Sequence, residues 1–277
     1  RQTSKDFVWL IIDDGSTDNP YEIIKEWIKI NNGFEIRYVY KENGGMHTAH
    51  NTAYENIDTE LNVCVDSDDY MPDNAVQLII DCWNKNKNKG YAGIIALDFA
   101  DLTKKVIGKE LPTDKESTTL MGYYNNGGFG DKKLIYRTDI IKQTPPYPVF
   151  DNEKYVALAY KYHLIDEKYE LKILNECVCI VDYQMDGSST NMYRQYVRNP
   201  KGFAFWRKEQ MKHSINTKQK IKACIHYVSS SLIAKNKHFI KESPEKFLTV
   251  LSVPLGFLLK IIVVKKSKSS YMKVEGI

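Results

Sequence analysis

Two acidic loops, each closing a short apolar run, are the residues of this chain best placed to do chemistry. The first is Asp13-Asp14-Gly15-Ser16-Thr17-Asp18, which follows Val8-Trp9-Leu10-Ile11-Ile12; the second is Asp66-Ser67-Asp68-Asp69, which follows Leu61–Val65. A buried strand that ends in carboxylates and then opens into a helix is where open α/β sheets bind ligands. Carboxylates at such an edge accept hydroxyls of a ribose or the polar rim of a base. In the D-x-D step, Asp66 and Asp68 fall on one side of an extended loop, one suited to ligand hydroxyls and the other to a hard divalent cation such as Mg²⁺ or Mn²⁺. Neither acidic run has the glycine and glutamate spacing of an EF-hand. Between the two loops lies Lys41-Glu42-Asn43-Gly44-Gly45, followed by a helical segment that carries His50. Glycines before a helix N-terminus let backbone N–H groups approach a phosphate, and Lys41 and His50 would add positive charge. An ordinary capped turn with a surface histidine is the alternative there.

These loops need a scaffold, and the first hundred residues supply one. Helical spacing of Ile23, Ile24, Trp27 and Ile28 predicts a helix over Tyr21–Ile30, and Asn31-Asn32-Gly33 ends it. Strands are predicted at Phe34–Tyr40, Leu61–Val65 and Gly93–Phe99, with helices at Met46–Asn56 and from Asp73 onward. Strands alternating with helices imply an α/β fold with a mostly parallel sheet covered on both faces. Later segments are less regular: a short strand at Leu134–Tyr136, a helix over Phe150–Tyr162 after a proline turn, and a strand at Val178–Tyr183 leading into Asp186-Gly187-Ser188.

The tail changes character. Ile221, Cys224, Ile225, Val228, Leu232 and Ile233 form a stripe at helical spacing, and residues 247–264 are nearly all apolar. Pro254, Gly256 and Lys260 interrupt that run, which falls short of the roughly 20 clean apolar residues a bilayer span needs. An interfacial helix with Lys265, Lys266 and Lys268 toward anionic headgroups is one reading, and a helix packed on the core is the other. The net charge of +4, from 39 basic and 35 acidic residues, is too mild for a nucleic-acid binder. Five scattered cysteines without a C-x-x-C pair fit a reducing compartment and argue against zinc.

In their order and spacing, DDGSTD, ENGGMHTAHN and DSDD resemble glycosyltransferase family 2, with its nucleotide-sugar-binding GT-A fold. Further segments are similar to bacterial members that build surface polysaccharides: Phe150-Asp151-Asn152-Glu153-Lys154-Tyr155, Tyr183-Gln184-Met185-Asp186-Gly187-Ser188 and Asn199-Pro200-Lys201-Gly202. The resemblance implies a GT-A domain over 1–205, lacking the family's first strand and helix; the tail pattern leaves a C-terminal helical region over 206–277, either membrane-associating or packed on the core. It also implies that Asp13, Asp14 and Gly15 meet the uridine of a UDP-sugar and that Lys41, Asn43, Gly44, Gly45 and His50 lie near the diphosphate. Asp66 and Ser67 would meet the ribose, Asp68 would bind Mg²⁺ or Mn²⁺, and Glu153 would be the general base. Asp131 and Asp186 are candidates for contact with the donor sugar or acceptor. Lys154 stands where the family carries a second carboxylate, and the Q-x-x-R-W motif of processive synthases is missing. The implied activity is non-processive, inverting transfer to a hydroxyl of a lipid-linked oligosaccharide at the cytoplasmic face of the plasma membrane, in cell-surface polysaccharide synthesis. A polyprenyl-phosphate glycosyltransferase and a non-catalytic nucleotide-sugar binder are the competing readings.

Overall fold

The computed structural model describes residues 1–182, 192–214 and 216–274. The chain divides into two compact units. The first comprises Arg1–Asn43, Ala49–Pro146 and Lys161–Gln184, and the second comprises Gly44–Thr48, Tyr147–Tyr160 and Met185–Ile277. The boundary expected at 205/206 lies within the helix Pro200–Lys212.

The opening strand β1 (Val8–Asp13), helix α1 (Tyr21–Lys29) and strand β2 (Glu35–Tyr40) form a βαβ turn in which the two strands pair in parallel, Asp13 opposite Tyr40. Helix α2 (Met46–Asn56) and strand β3 (Leu61–Val63) follow, then α3 (Ala75–Asn86) and β4 (Gly93–Ala100). Asn74, at the N-cap of α3, makes no side-chain cap bond. Gln2 reaches in instead, its Oε1 accepting from Val76 N at 3.0 Å.

The next stretch departs from expectation. Short strands β5 (Lys105–Val106) and β6 (Ser117–Thr118) and helix α4 (Leu120–Asn125) lead to β7 (Lys132–Arg137). Then come α5 (Thr138–Gln143), α6 (Ala159–Asp166) and the long β8 (Leu171–Val181). The main sheet runs β3-β7-β4-β8-β6, with β5 on β4, while β1 and β2 form a separate two-stranded sheet. Strand β7 lies antiparallel to both β3 and β4; β4 and β8 are parallel, and β5 and β6 pair antiparallel. The sheet is therefore mixed, not mostly parallel. Strands β3 and β4 do point the same way, as a strand-helix-strand crossover requires. The long excursion after β4 returns as β7 and slots between them, a pairing that local periodicity does not encode.

Both faces of this sheet are covered. Along β4, Ile94 and Ala96 face Ala75, Ile79 and Trp83 of α3, whereas Ile95 and Leu97 face Leu120, Tyr123, Ile140, Ile141 and Ile165 from α4, α5 and α6. Alternation along one strand thus feeds two cores, each of the buried large side chains contributing roughly 1.5–3 kcal/mol.

The second unit is helical. It contains α7 (Met192–Arg198), α8 (Pro200–Lys212), α9 (Thr217–Ile233), α10 (Phe239–Glu242), α11 (Lys246–Leu251) and α12 (Val253–Val274). Met211, Ala223, Cys224 and Tyr227 form its core, with Phe239 and Leu248 against them. The helix expected over Phe150–Tyr162 is shorter: only Ala159–Asp166 is helical. Asn152 sits at φ +63° inside a turn closed by Glu153 N bonding Phe150 O at 3.0 Å, a left-handed conformation that stops a helix.

Candidate functional site

Each acidic loop begins where its strand ends, and the structure sorts their carboxylates into inward and outward members. Asp13 is inward and only 6% exposed. Its Oδ1 accepts from Ser16 N at 2.8 Å and its Oδ2 from the Tyr38 hydroxyl at 2.5 Å. Burial pulls its pKa upward, but these bonds outweigh it and hold the carboxyl below the usual range; the Tyr38 hydroxyl, buried beside it, is pushed up to about 12. Asp13 therefore ties the loop to β2. Asp14, next along, pairs with Lys41 Nζ at 2.5 Å. The Lys41 backbone N–H meanwhile bonds Asp13 O at 2.9 Å, so the ends of β1 and β2 are locked side by side. Gly15 is required here: at φ +76° an added Cβ would lie 2.6 Å from Asn43 N, bringing the two expected binding segments into direct contact.

In the second unit, Gly45 sits at φ +90°, where a Cβ would strike Lys154 O at 2.0 Å. Its carbonyl accepts from Thr48 N and Thr48 Oγ1 at 2.9 and 2.8 Å, closing the first turn of α2. Gly44 precedes it in the loop. His50 is 7% exposed, and its Nδ1 lies 3.1 Å from the Tyr54 hydroxyl one turn on. The expected cation at the surface of α2 is instead a histidine packed into the fold beside an aromatic ring.

The D-x-D loop is organised the opposite way. Asp66, Ser67 and Asp68 are exposed, while Asp69 turns inward and accepts from Asp182 N at 3.2 Å. Tyr70 bridges Ile180 through two backbone bonds, Tyr70 N to Ile180 O at 3.0 Å and Ile180 N to Tyr70 O at 2.7 Å. Asp69 and Tyr70 thus pin the loop to the end of β8 and leave Asp66 and Asp68 presented to solvent. Burial raises the pKa of Asp69.

Among the described residues no group of three or more His, Cys, Asp or Glu side chains is arranged to hold a metal ion. The residues still fit a hard divalent cation. Mg²⁺ and Mn²⁺ take oxygen donors, and Mg²⁺ binds through one or two carboxylates together with phosphate oxygens and retained waters. Exposed Asp68, with Asp66 two residues away, offers that donor chemistry without a protein cage.

Beneath the loop lies a carboxylate that sequence reading passed over. Asp98 interrupts the apolar run of β4 and is 3% exposed. Its Oδ1 makes no hydrogen bond, and Lys133 Nζ on β7 stands 3.8 Å away, too far for one. Burial, reinforced by the negative charges of Asp131 and Asp69, pushes Asp98 up to about 6 in spite of Lys133. For Lys133, burial acts downward, but Asp98 and Cys179 carry it up to about 12. The rise at Asp98 has its cause in the geometry: Oδ1 is buried without a hydrogen bond, so the charged form lacks solvation. A single charged residue in an otherwise buried strand was the available signal. Asp131, the residue before β7, is exposed; Asp186 lies outside the described residues.

Asp98 gives a pH dependence with a definite sign. Between about pH 4 and about pH 6 the folded chain keeps this proton while the unfolded chain has lost it, so the contribution to stability falls as pH rises, by up to about 3 kcal/mol. Denaturant unfolding of the wild type and Asp98→Asn across that window should show the slope reduced in the variant. Parallel curves would contradict the assignment.

Glu153 is not at the start of a helix of its own. Its Oε1 accepts from Lys201 N at 2.9 Å and its Oε2 from Gly202 N at 2.8 Å, the first turn of α8. Asn199, the N-cap of α8, makes no cap bond, because its Oδ1 accepts from Lys154 N at 2.7 Å. The two segments exchange partners: Asn199 satisfies the Glu153–Lys154 turn, and Glu153 satisfies the orphan donors of α8. With both oxygens taken and 8% exposure, Glu153 is a helix cap.

A mixed α/β sheet flanked by helices therefore carries strand-end carboxylates and an exposed Asp66-Ser67-Asp68. The description "Glycosyl transferase family 2" matches residues 1–144, and the chain belongs to that family. It is 31% identical over 125 residues to an uncharacterised glycosyltransferase of Rickettsia conorii, a match covering 43% of this chain and 20% of that relative's length. In fold it is similar to S. aureus TarS 1-349 solved with UDP-GlcNAc: TM-score 0.58, 14% identity, 98% of this chain and 85% of that one. It is also similar to the mannosyltransferase PcManGT of Pyrobaculum calidifontis, solved with GDP-Man and Mn²⁺: TM-score 0.50, 14% identity, 94% of this chain and 80% of that one. These likenesses make the fold GT-A.

Proposed function

We propose that this chain binds a UDP-sugar and transfers its sugar, with inversion and one transfer per binding event, to a lipid-linked acceptor at the cytoplasmic face of the plasma membrane, in cell-surface polysaccharide synthesis. The observation that carries the reading is the pinned D-x-D loop, in which Asp69 holds the turn and Asp66 and Asp68 face outward. Asp68 would hold Mg²⁺ or Mn²⁺, and a cation there supplies positive charge against the leaving diphosphate. Asp66 accepts a ribose hydroxyl, with Ser67 beside it. Asp14, oriented by Lys41, meets the uracil edge, and Asp13 keeps that loop in register. Family membership and neighbours solved with UDP-GlcNAc and GDP-Man support a nucleotide-sugar donor. The missing Q-x-x-R-W motif supports a non-processive reaction.

Two acceptors are in view. A hydroxyl of a lipid-linked oligosaccharide needs a base to take its proton. The capping bonds of Glu153 favour the second, the phosphate of a polyprenyl lipid, which is already anionic and needs none. UDP release from UDP-glucose, UDP-galactose and their N-acetyl forms, measured with each acceptor class, separates the two. Faster release with polyprenyl phosphate supports the second reading, faster release with a saccharide hydroxyl supports the first, and no acceptor-dependent release removes both.

A further inference from the structure

The C-terminal helix of the second unit is packed inside out. The positions of α12 buried among Ser252–Lys268 are Gly256, Val263 and Ser267, continuing from Ser252 just before the helix. The surface of α9 that meets Gly256 is the buried Val228 side chain and the Ile225 carbonyl. A Cβ on Gly256 would lie 2.5 Å from the Val228 side chain and 3.0 Å from Ile225 O, so the two backbones approach closely where α12 carries its glycine. The large apolar residues stay at the surface: Leu255, Phe257, Leu258, Ile261 and Ile262 are 40–55% exposed, and Phe247 and Leu251 of α11 are 74% and 60% exposed. In a water-facing helix the bulky stripe goes inward and polar residues cover the outside. Small residues at a helix contact with bulky apolar ones outside is the arrangement adopted against lipid.

Charge identifies the covering surface. Residues 217–233 and 246–274 together hold nine lysines and neither Asp nor Glu. Lys220 is committed to Glu245 at 2.7 Å, but Lys218 and Lys222 are exposed on the rim of a groove of about 390 Å³ whose floor includes Ile221, Leu258 and Ile262. Lys265, Lys266 and Lys268 are exposed at the far end of the apolar face. Bulky apolar side chains flanked by lysines match the acyl boundary and headgroups of an anionic bilayer. No helix among the described residues is long and apolar enough to cross a membrane, so contact is along the face rather than through it.

We propose that the α9–α11–α12 face docks this chain on the surface of an anionic phospholipid bilayer, with the Leu255–Ile262 ridge in the acyl boundary and the lysines at the phosphates. This deepens the acceptor side of the function proposed above, yet it is measured without donor or acceptor, so its failure leaves sugar transfer standing and the converse holds. The experiment is co-sedimentation of the full chain with phosphatidylcholine vesicles with and without phosphatidylglycerol. Binding should need phosphatidylglycerol, weaken with salt, and fall at least ~10-fold in Leu258→Ser/Ile262→Ser and in Lys265→Glu/Lys266→Glu. All four side chains are exposed, and circular dichroism checks that both variants fold. Undiminished binding by both folded variants would overturn the proposal. So would a dimer in light scattering that the serine variant dissociates, since the face would then belong to a second copy of the chain.

Discussion

Asp68→Asn is expected to lower UDP-sugar turnover roughly 10³-fold while leaving unfolding within about 0.5 kcal/mol of wild type. The asymmetry follows from geometry. Asp68 is exposed and the turn is held by its neighbours, Asp69 through Asp182 N and Tyr70 through Ile180. Removing the charge costs the fold little, yet it deletes the carboxylate proposed to hold positive charge against the departing diphosphate. Asp66→Asn should behave differently, weakening donor affinity roughly 10–100-fold as one charged hydrogen bond is lost. Asp69→Asn should act mainly on stability, because that carboxylate is the anchor. Equal activity in Asp68→Asn and wild type would remove the metal role from this loop.

Glu153→Gln should give the reverse pattern. Two backbone donors at the start of α8 now end on one charged group. An amide keeps one acceptor and turns an NH₂ toward the other N–H, so stability should drop by about 1–3 kcal/mol, or roughly 3–8 °C in thermal unfolding. Turnover per folded molecule should stay within about threefold of wild type. A loss of roughly 10²–10⁴ at unchanged melting temperature would instead mark Glu153 as the general base. The melting curve and the rate together decide between cap and base, which neither does alone.

What local sequence could show, and what it could not, divides along physical lines. Strand β1 ends at Asp13, where its apolar run meets the carboxylates, and helix α2 spans Met46–Asn56, directly after the Asn43-Gly44-Gly45 turn, because these stops and starts are written in adjacent residues. The D-x-D spelling was readable as well, whereas the exposure of Asp66 and Asp68 was not. The insertion of β7 between β3 and β4 was not, since pairing partners that lie some 70 residues apart in sequence, such as Asn62 and Tyr136, leave no local period. The bonding partners of Glu153 were hidden for the same reason. Its partners are Lys201 and Gly202, and the cue was the failure of Asn199 to cap its own helix, visible only in three dimensions. Asp98 hid inside an apolar strand, where a single charge reads as noise until its burial is known. The apolar tail was legible as a pattern, but its inverted packing needed the fold, because composition does not say which side of a helix faces its neighbour.

The most direct measurement is calorimetric titration of UDP into the wild type and Asp68→Asn, with Mn²⁺ and with chelator. The account predicts saturable, Mn²⁺-dependent binding to the wild type that chelator abolishes and that Asp68→Asn weakens to the level seen without metal. Binding unaffected by Mn²⁺, or retained in full by Asp68→Asn, would contradict a nucleotide-sugar site built on this loop.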